Sequence, residues 1–233
     1  MNVLVVGNGQ MGSVLYKELI DANHSVTIVP DLSRPVDGTF DVLVDFSHPD
    51  GIKNIVAFAR DSKTPAVIAT TGYTDEQFKL IDDLSKEIPV LYSGNYSLGV
   101  ILMERLVREA SKVLGADFDI EIIEKHHHHK IDAPSGTAKM LLRAANEQLD
   151  YNVIYGREGI CKRQEKEIAV HTIRGGSIVG EHEVLFAGAD EILSIKHEAL
   201  SKAIFAKGAI KGGEWLMDKA SGLYNMEDVL FGK

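Results

Sequence analysis

Two short segments of this chain combine residue types and spacings that suit chemistry. The first, Glu124 to Ala138, reads EKHHHHKIDAPSGTA. Histidine titrates near pH 6.5 and can donate or accept a proton at neutral pH, and His126 and His127 open the run, while Lys130 adds a fixed positive charge. The turn Asp132 to Thr137 leads into a helical pattern with Ser135 as its N-cap, so the amides of Gly136 and Thr137 are placed to receive a carboxylate. An anion hole beside a proton donor and a cation suits reduction of an unsaturated acid, because hydride delivery leaves a developing negative charge that these groups stabilise. A purification tag does not fit a run embedded between a strand and a helix. A metal site is a weaker reading: neighbouring side chains of an extended segment point to opposite sides, and no cysteine or regularly spaced carboxylate accompanies them. A solvated polar loop is the plain alternative.

The second segment, Gly7-Asn8-Gly9-Gln10-Met11-Gly12, follows an apolar run and opens a helical pattern. Its glycines suit a tight turn at Gly7, close backbone approach to a pyrophosphate at Gly9 and helix-on-strand packing at Gly12. The helix N-terminus would then face the phosphates with its amides and dipole. An acidic residue about 20 positions on should meet the adenosine ribose. Asp31 lies 19 after Gly12, which favours NADH. Arg34 could instead face a 2′-phosphate, so NADPH stays open. Ala69, Thr70 and Thr71 in one loop, and Ser93, Gly94, Asn95 and Tyr96 in another, leave the carboxyl ends of strand-like runs and are candidates for the nicotinamide end; ordinary capped turns are the alternative.

The elements that must position these residues follow from periodicity. Strand-like runs at Asn2 to Val6, Val26 to Val29, Val42 to Val44, Ala66 to Ala69 and Val90 to Tyr92 alternate with helical patterns after Gly12 and at Asp50 to Asp61, Thr74 to Ser85 and Leu98 to Leu114. Such alternation implies an α/β fold, a Rossmann-type doubly wound parallel sheet with helices on both faces. Beyond Leu114 the character changes: Phe118, Ile120 and Ile122 alternate with Asp117, Asp119 and Glu121. A strand with one solvated face is expected there, then a helix over Ser135 to Gln148 and strands near Ile168 to Arg174, Val184 to Phe186 and Ile192 to His197. These make a smaller α+β mixed-sheet domain. A last helix, Ala199 to Lys219, returns to the first lobe. The expected domains are 1–97 with 207–233 for the dinucleotide and 98–206 for substrate and oligomerisation.

Bulk properties narrow the function classes. At 233 residues, 45% apolar and 25% charged, the chain can build two cores and is neither disordered nor fibrous. The 25 basic and 34 acidic residues leave a formal charge of −9, and no basic block appears, which argues against nucleic acid or an anionic membrane as partner. One cysteine, no leader-like N-terminus and no apolar run of roughly 20 residues point to a cytoplasmic protein.

The segment Glu124-Lys125-His126-His127 with Lys130, Asp132 and Pro134 to Ala138 resembles the signature of the 4-hydroxy-tetrahydrodipicolinate reductase (dihydrodipicolinate reductase) family of diaminopimelate and lysine biosynthesis. Ala69 to Tyr73, Asn95-Tyr96-Ser97 and Ile178 to His182 extend the likeness almost end to end. The resemblance implies His126 as the acid/base residue, Lys130 as the cation beside it, and His127, Gly136 and Thr137 as holders of the substrate carboxylates. It implies cofactor contacts from Gly7 to Gly12, Asp31, Ala69 to Thr71 and Ser93 to Tyr96, no metal, a small dicarboxylate substrate and a homotetramer. The chain departs from the family pattern in a glycine loop shorter by one residue, Gln10 where a basic residue is common, Ala69 for a glycine, Lys202 for an arginine and a trimmed stretch between Pro30 and Asp41. The rivals are another two-lobed dehydrogenase and a non-catalytic dinucleotide sensor.

Overall fold

The short apolar runs at the start of the chain become buried parallel strands in a computed structural model, which describes residues 1–232. Two units emerge: Met1–Leu98 together with the segment from Lys202 onward, and Gly99–Ser201. The return to the first unit thus begins at Lys202 rather than at 207, because Lys202 caps a helix that belongs wholly to that unit.

In the first unit, β1 (Asn2–Val6), β2 (Ser25–Val29), β3 (Val42–Asp45), β4 (Ala66–Ile68), β5 (Pro89–Tyr92) and β11 (Gly222–Tyr224) form one sheet in the order β11-β5-β4-β3-β1-β2. Every pairing is parallel. From β1 the chain runs outward to β2 and then crosses back to β3, so the order reverses beside β1, the place where open α/β sheets bind ligands. Helices α2 (Ile52–Ser62) and α3 (Asp75–Ser85) cover one face, burying Ile52, Ile55, Ile81 and Leu84 against Leu4, Leu43 and Ile68. Thr74 starts α3 with a reciprocal capping box to Gln77. Helix α1 (Gln10–Asp21) packs with α6 (Ala203–Leu216), and α6 also lies against β3, β4 and β5.

The second unit holds α4, the helix Leu98–Leu114 whose first residue closes the first unit, and α5 (Gly136–Asn146) over a mixed sheet. Its strands are β6 (Asp119–His126), β7 (Asn152–Tyr155), β8 (Glu167–Arg174), β9 (Gly180–Ala187) and β10 (Ile192–Ala199), in the order β10-β9-β6-β8-β7. β6 pairs with β8 in parallel and with β9 antiparallel. Alternation along β6 sends Ile120, Ile122, Glu124 and His126 inward. The register stacks layers across the sheet: Phe186, Ile120 and Ile168; then Val184, Ile122 and Val170; then His182, Glu124 and Thr172. Met103, Val107 and Leu141 seal the apolar layers, and the polar layer lies at the end of the row.

Five elements depart from the sequence reading. β7, β11 and α7 (Met226–Phe231) were not expected, the expected helix from Ala199 starts at Ala203 because β10 runs to Ala199, and β9 extends well beyond Val184 to Phe186 at both ends.

Among the three buried glycines of helix α6, Gly208 and Gly213 face opposite constraints. A Cβ on Gly208 would sit 1.6 Å from the Tyr96 carbonyl oxygen, whereas one on Gly213 would make ordinary contacts of 3.6 Å with Val42. Alanine raises helix propensity by about 1 kcal/mol at either place, but a backbone clash costs about 1–3 kcal/mol or more. Gly208→Ala is therefore expected to destabilise the protein by about 2 kcal/mol and Gly213→Ala to leave it unchanged or slightly more stable. Urea unfolding of both variants checks this, and equal effects would contradict the packing.

Candidate active site

In the first unit, the loops that leave the carboxyl ends of the strands gather the candidate cofactor residues. Gly7 has φ +103°, and a Cβ there would lie 2.3 Å from the Phe46 carbonyl oxygen. A Cβ on Gly12 would lie 1.7 Å from the Gly7 carbonyl, so helix α1 can start this close to β1 only without one. At Gly9, the N-cap of α1, a Cβ meets nothing within 4 Å, and Asn8, Gly9 and Gln10 are exposed. The backbone there is open to a phosphate group, and Met11 sits half-buried behind it. Gln10 Oε1 accepts from Lys202 Nζ at 2.7 Å. These features fit a dinucleotide: a strained turn, a helix N-terminus and unobstructed amides.

Asp31 is exposed just past β2 and accepts from the Ser33 amide at 2.8 Å. Bonds from the Ser33 side chain and amide, with the Arg34 charge, hold its carboxyl below the ordinary value. Ala69 donates its amide to the Asp45 carbonyl, buried Thr70 accepts from the Ser47 amide at 2.9 Å, and Thr71 is exposed. Behind this loop, Asp45 is fully buried and bonded by Ser47 and Tyr73. Burial dominates and raises its pKa against bonds from Ser47, Thr70 and Tyr73. Ser93 and Asn95 are buried and Gly94 is exposed. Tyr96 turns inward, its hydroxyl donating to the carbonyls of Ile68 (2.9 Å) and Leu91 (3.1 Å), so its side chain braces the strands.

In the second unit, the polar end of the sheet converges on Glu124. Its Oε2 accepts from His126 Nδ1 at 2.6 Å and from one terminal nitrogen of Arg174 at 2.8 Å. Its Oε1 accepts from the other at 2.8 Å, from the Ser135 amide at 3.0 Å and from the Thr172 hydroxyl at 3.4 Å. Glu124 is fully buried, which pushes its pKa up, yet the bonds from His126, Arg174 and Ser135 outweigh burial and hold it at about 2. Arg174 also donates to the Asp132 carbonyl at 2.6 Å, and His126 accepts on its carbonyl from the Gly175 amide. The segment from His127 to Pro134 is thereby held at both ends.

Within that segment His127 is half-buried, and His128 and His129 are exposed, with ring nitrogens 2.8 Å apart. Lys130 Nζ bonds Asp132 at 2.6 Å. Ser135 caps α5 by accepting from the Ala138 amide at 3.1 Å, and its hydroxyl also meets His182 Nε2 at 2.9 Å. Gly136 and Thr137 form the first turn of that helix, Gly136 exposed and Thr137 half-buried. The His182 ring stands edge-on to that of His126, with centroids 5.2 Å apart. The structure thus places His126, Lys130, Gly136 and Thr137 in one unit, with the Glu124 carboxylate bonded to His126 and to the Ser135 amide that precedes Gly136.

Sequence reasoning gave no role to Glu124, Arg174, His182 or Asp45. A signal for Glu124 was available: Ile120, Ile122, Glu124 and His126 share the inward period of two, so an acid in a core row called for buried donors.

His182 is buried, and burial first, then the charge of His126, lowers its pKa from 6.5 to about 4. The unfolded chain therefore binds a proton that the folded one refuses between these values. Stability carried by neutral His182 is full above pH 6.5 and is lost as pH falls towards 4, on the order of 3 kcal/mol. Denaturant unfolding at pH 7 and pH 4.5 should show His182→Gln losing less stability across this window than the unmodified protein; equal losses would contradict the assignment.

The family model described as dihydrodipicolinate reductase, N-terminus, matches residues 1–96, and that described as dihydrodipicolinate reductase, C-terminus, matches residues 99–230. Among curated relatives, the 4-hydroxy-tetrahydrodipicolinate reductase of Clostridium novyi (strain NT) is 48% identical over 83% of this chain and 77% of its own length. That of Clostridium perfringens (strain 13 / Type A) is 42% identical over 96% of this chain and 95% of its own. A solved structure of dipicolinate-bound dihydrodipicolinate reductase from Paenisporosarcina sp. TG-14 shares the fold, with a TM-score of 0.77, 23% identity, and coverage of 99% of this chain and 100% of that one. With models for both halves matched and relatives similar along nearly the whole length, the chain belongs to the dihydrodipicolinate reductase family.

Proposed function

We propose that this protein reduces 4-hydroxy-tetrahydrodipicolinate to tetrahydrodipicolinate with NADH or NADPH in diaminopimelate and lysine biosynthesis. The observation that carries the reading is end-to-end family membership, with relatives of this activity, in a chain that keeps the His126, Lys130, Gly136 and Thr137 set. One hydride and one proton enter and one water leaves. A bound dihydronicotinamide supplies the hydride. Gly7 to Gly12, Asp31, Ala69 to Thr71 and Ser93 to Tyr96 hold the dinucleotide, mostly through backbone. Gly136 and Thr137, at the start of α5, and His127 take the substrate carboxylates, where amides and helix dipole favour an anion. His126 gives up the proton, and the Lys130 ammonium stabilises the negative charge that develops on the substrate.

Asp31 supports a preference for NADH, since its carboxylate suits a free 2′-hydroxyl, while neighbouring Arg34 keeps NADPH usable. The same reading makes the protein a cytoplasmic homotetramer. Edge strand β10 supports assembly, because it exposes Ile192 and Leu193 beside an unpaired strand edge. Among the described residues no helix is long and apolar enough to cross a membrane.

The test is steady-state oxidation of NADH and NADPH with freshly generated 4-hydroxy-tetrahydrodipicolinate. Turnover is expected with both. His126→Ala and Lys130→Ala should each lower kcat by about 100-fold or more while dinucleotide affinity stays near that of the unmodified protein. Absence of turnover in a folded, dinucleotide-binding preparation would refute the reading, and near-native turnover in either variant would remove that residue from the mechanism.

A further inference from the structure

We infer that Glu124 is a positioning residue that sets the tautomer of His126 and stabilises its protonated form. The inference rests on reading His126 as the proton donor and extends it to a side chain that touches no substrate.

The hydrogen-bond inventory carries the argument. Glu124 accepts two bonds from Arg174 and one from the Ser135 amide, and these groups can only donate. A carboxylate filled by such donors has no proton of its own to share. The 2.6 Å contact with His126 must then be made by a proton on Nδ1. Nε2 is left as the nitrogen that exchanges protons. Space at that nitrogen is also regulated: Gly180 opens β9 beside it, and a Cβ there would lie 3.0 Å from Nε2. A buried carboxylate on one ring nitrogen is a known way to orient an imidazole and stabilise its cation.

Charged and titratable groups near the His126–His182 pair come from several elements. Glu124 lies on the same strand, Arg174 on β8, His182 on β9 and Lys130 in the loop that follows β6. Arg174 and Lys130 oppose a proton on His126, and buried His182 adds no favourable charge. Glu124 is the anion bonded to the ring. Replacing it with glutamine keeps the shape but leaves the cations unbalanced, so the imidazole should lose its proton at lower pH.

Two measurements test this. In unmodified protein labelled with 15N at histidine, neutral His126 should show the proton on Nδ1; a proton on Nε2 overturns the inference without any variant. In Glu124→Gln, kcat should fall about tenfold or more and the alkaline limb of the kcat/KM profile should move down by about one pH unit, with the KM for dinucleotide little changed. A merely structural role would not move the limb, so an unmoved limb with unchanged kcat overturns the inference while the proposed activity stands. Should the variant fail to fold, or the unmodified protein fail to turn over this substrate, the tautomer decides the inference by itself.

Discussion

A carboxylate taken fully out of water must be matched by donors, and Glu124 obtains them from four separate places in its unit. Burying an isolated charge is costly, and breaking a buried pair costs about 3–5 kcal/mol. The matched arrangement is therefore stiff. The His126 ring, the Arg174 guanidinium and the start of α5 cannot move independently, because each is bonded to the same carboxylate. Arg174 extends the constraint to the Asp132 carbonyl, which fixes the loop that carries Lys130. The orientation of the His126 ring, the placement of the loop that carries Lys130 and the start of α5 thus follow from one carboxylate.

The first unit solves its positioning problem differently. The loops at the carboxyl ends of its strands are shaped largely by backbone, with glycines that permit close approach at Gly7 and Gly12 and polar groups that brace the loops from behind. Asp45, Ser47, Thr70 and Tyr73 connect the ends of β3 and β4, and Tyr96 ties β4 to β5 through two carbonyls. Under the proposed function, such a surface would recognise phosphate and ring shape without committing many side chains. The two units thus differ in kind: one offers open backbone at its loops, the other a buried network of charged and polar side chains.

Much of this was legible in the sequence because the periods are clean. The central parallel strands β1, β3 and β4 of the first unit are buried on both faces and read as short apolar runs, while β6 alternates without interruption. β11 has three residues and β7 four, at the two sheet edges, where too little apolar pattern accumulates to stand out. The six residues of α7 depend on the Asn225 cap more than on a long stripe. In the site, GNGQMG and the run from Glu124 to Ala138 announce themselves by composition. The Glu124 network does not, since Ser135, Thr172 and Arg174 lie 11, 48 and 50 positions away, the first brought in by the start of α5 and the other two by the parallel pairing of β6 with β8. Tyr96 shows the converse: a residue prominent in a loop expected to meet the cofactor, whose side chain serves the core.

The ionised state of Glu124 is the claim on which the rest depends, and 13C NMR of the side-chain carboxyl in glutamate-labelled protein measures it directly. Between pH 7 and pH 4, where exposed glutamates begin to titrate, the Glu124 resonance should keep the chemical shift of a carboxylate, in line with a pKa of about 2. A resonance that titrates with a midpoint at or above the ordinary 4.5 would contradict the account, for a protonated Glu124 could neither satisfy Arg174 at both oxygens nor hold the proton on His126 Nδ1.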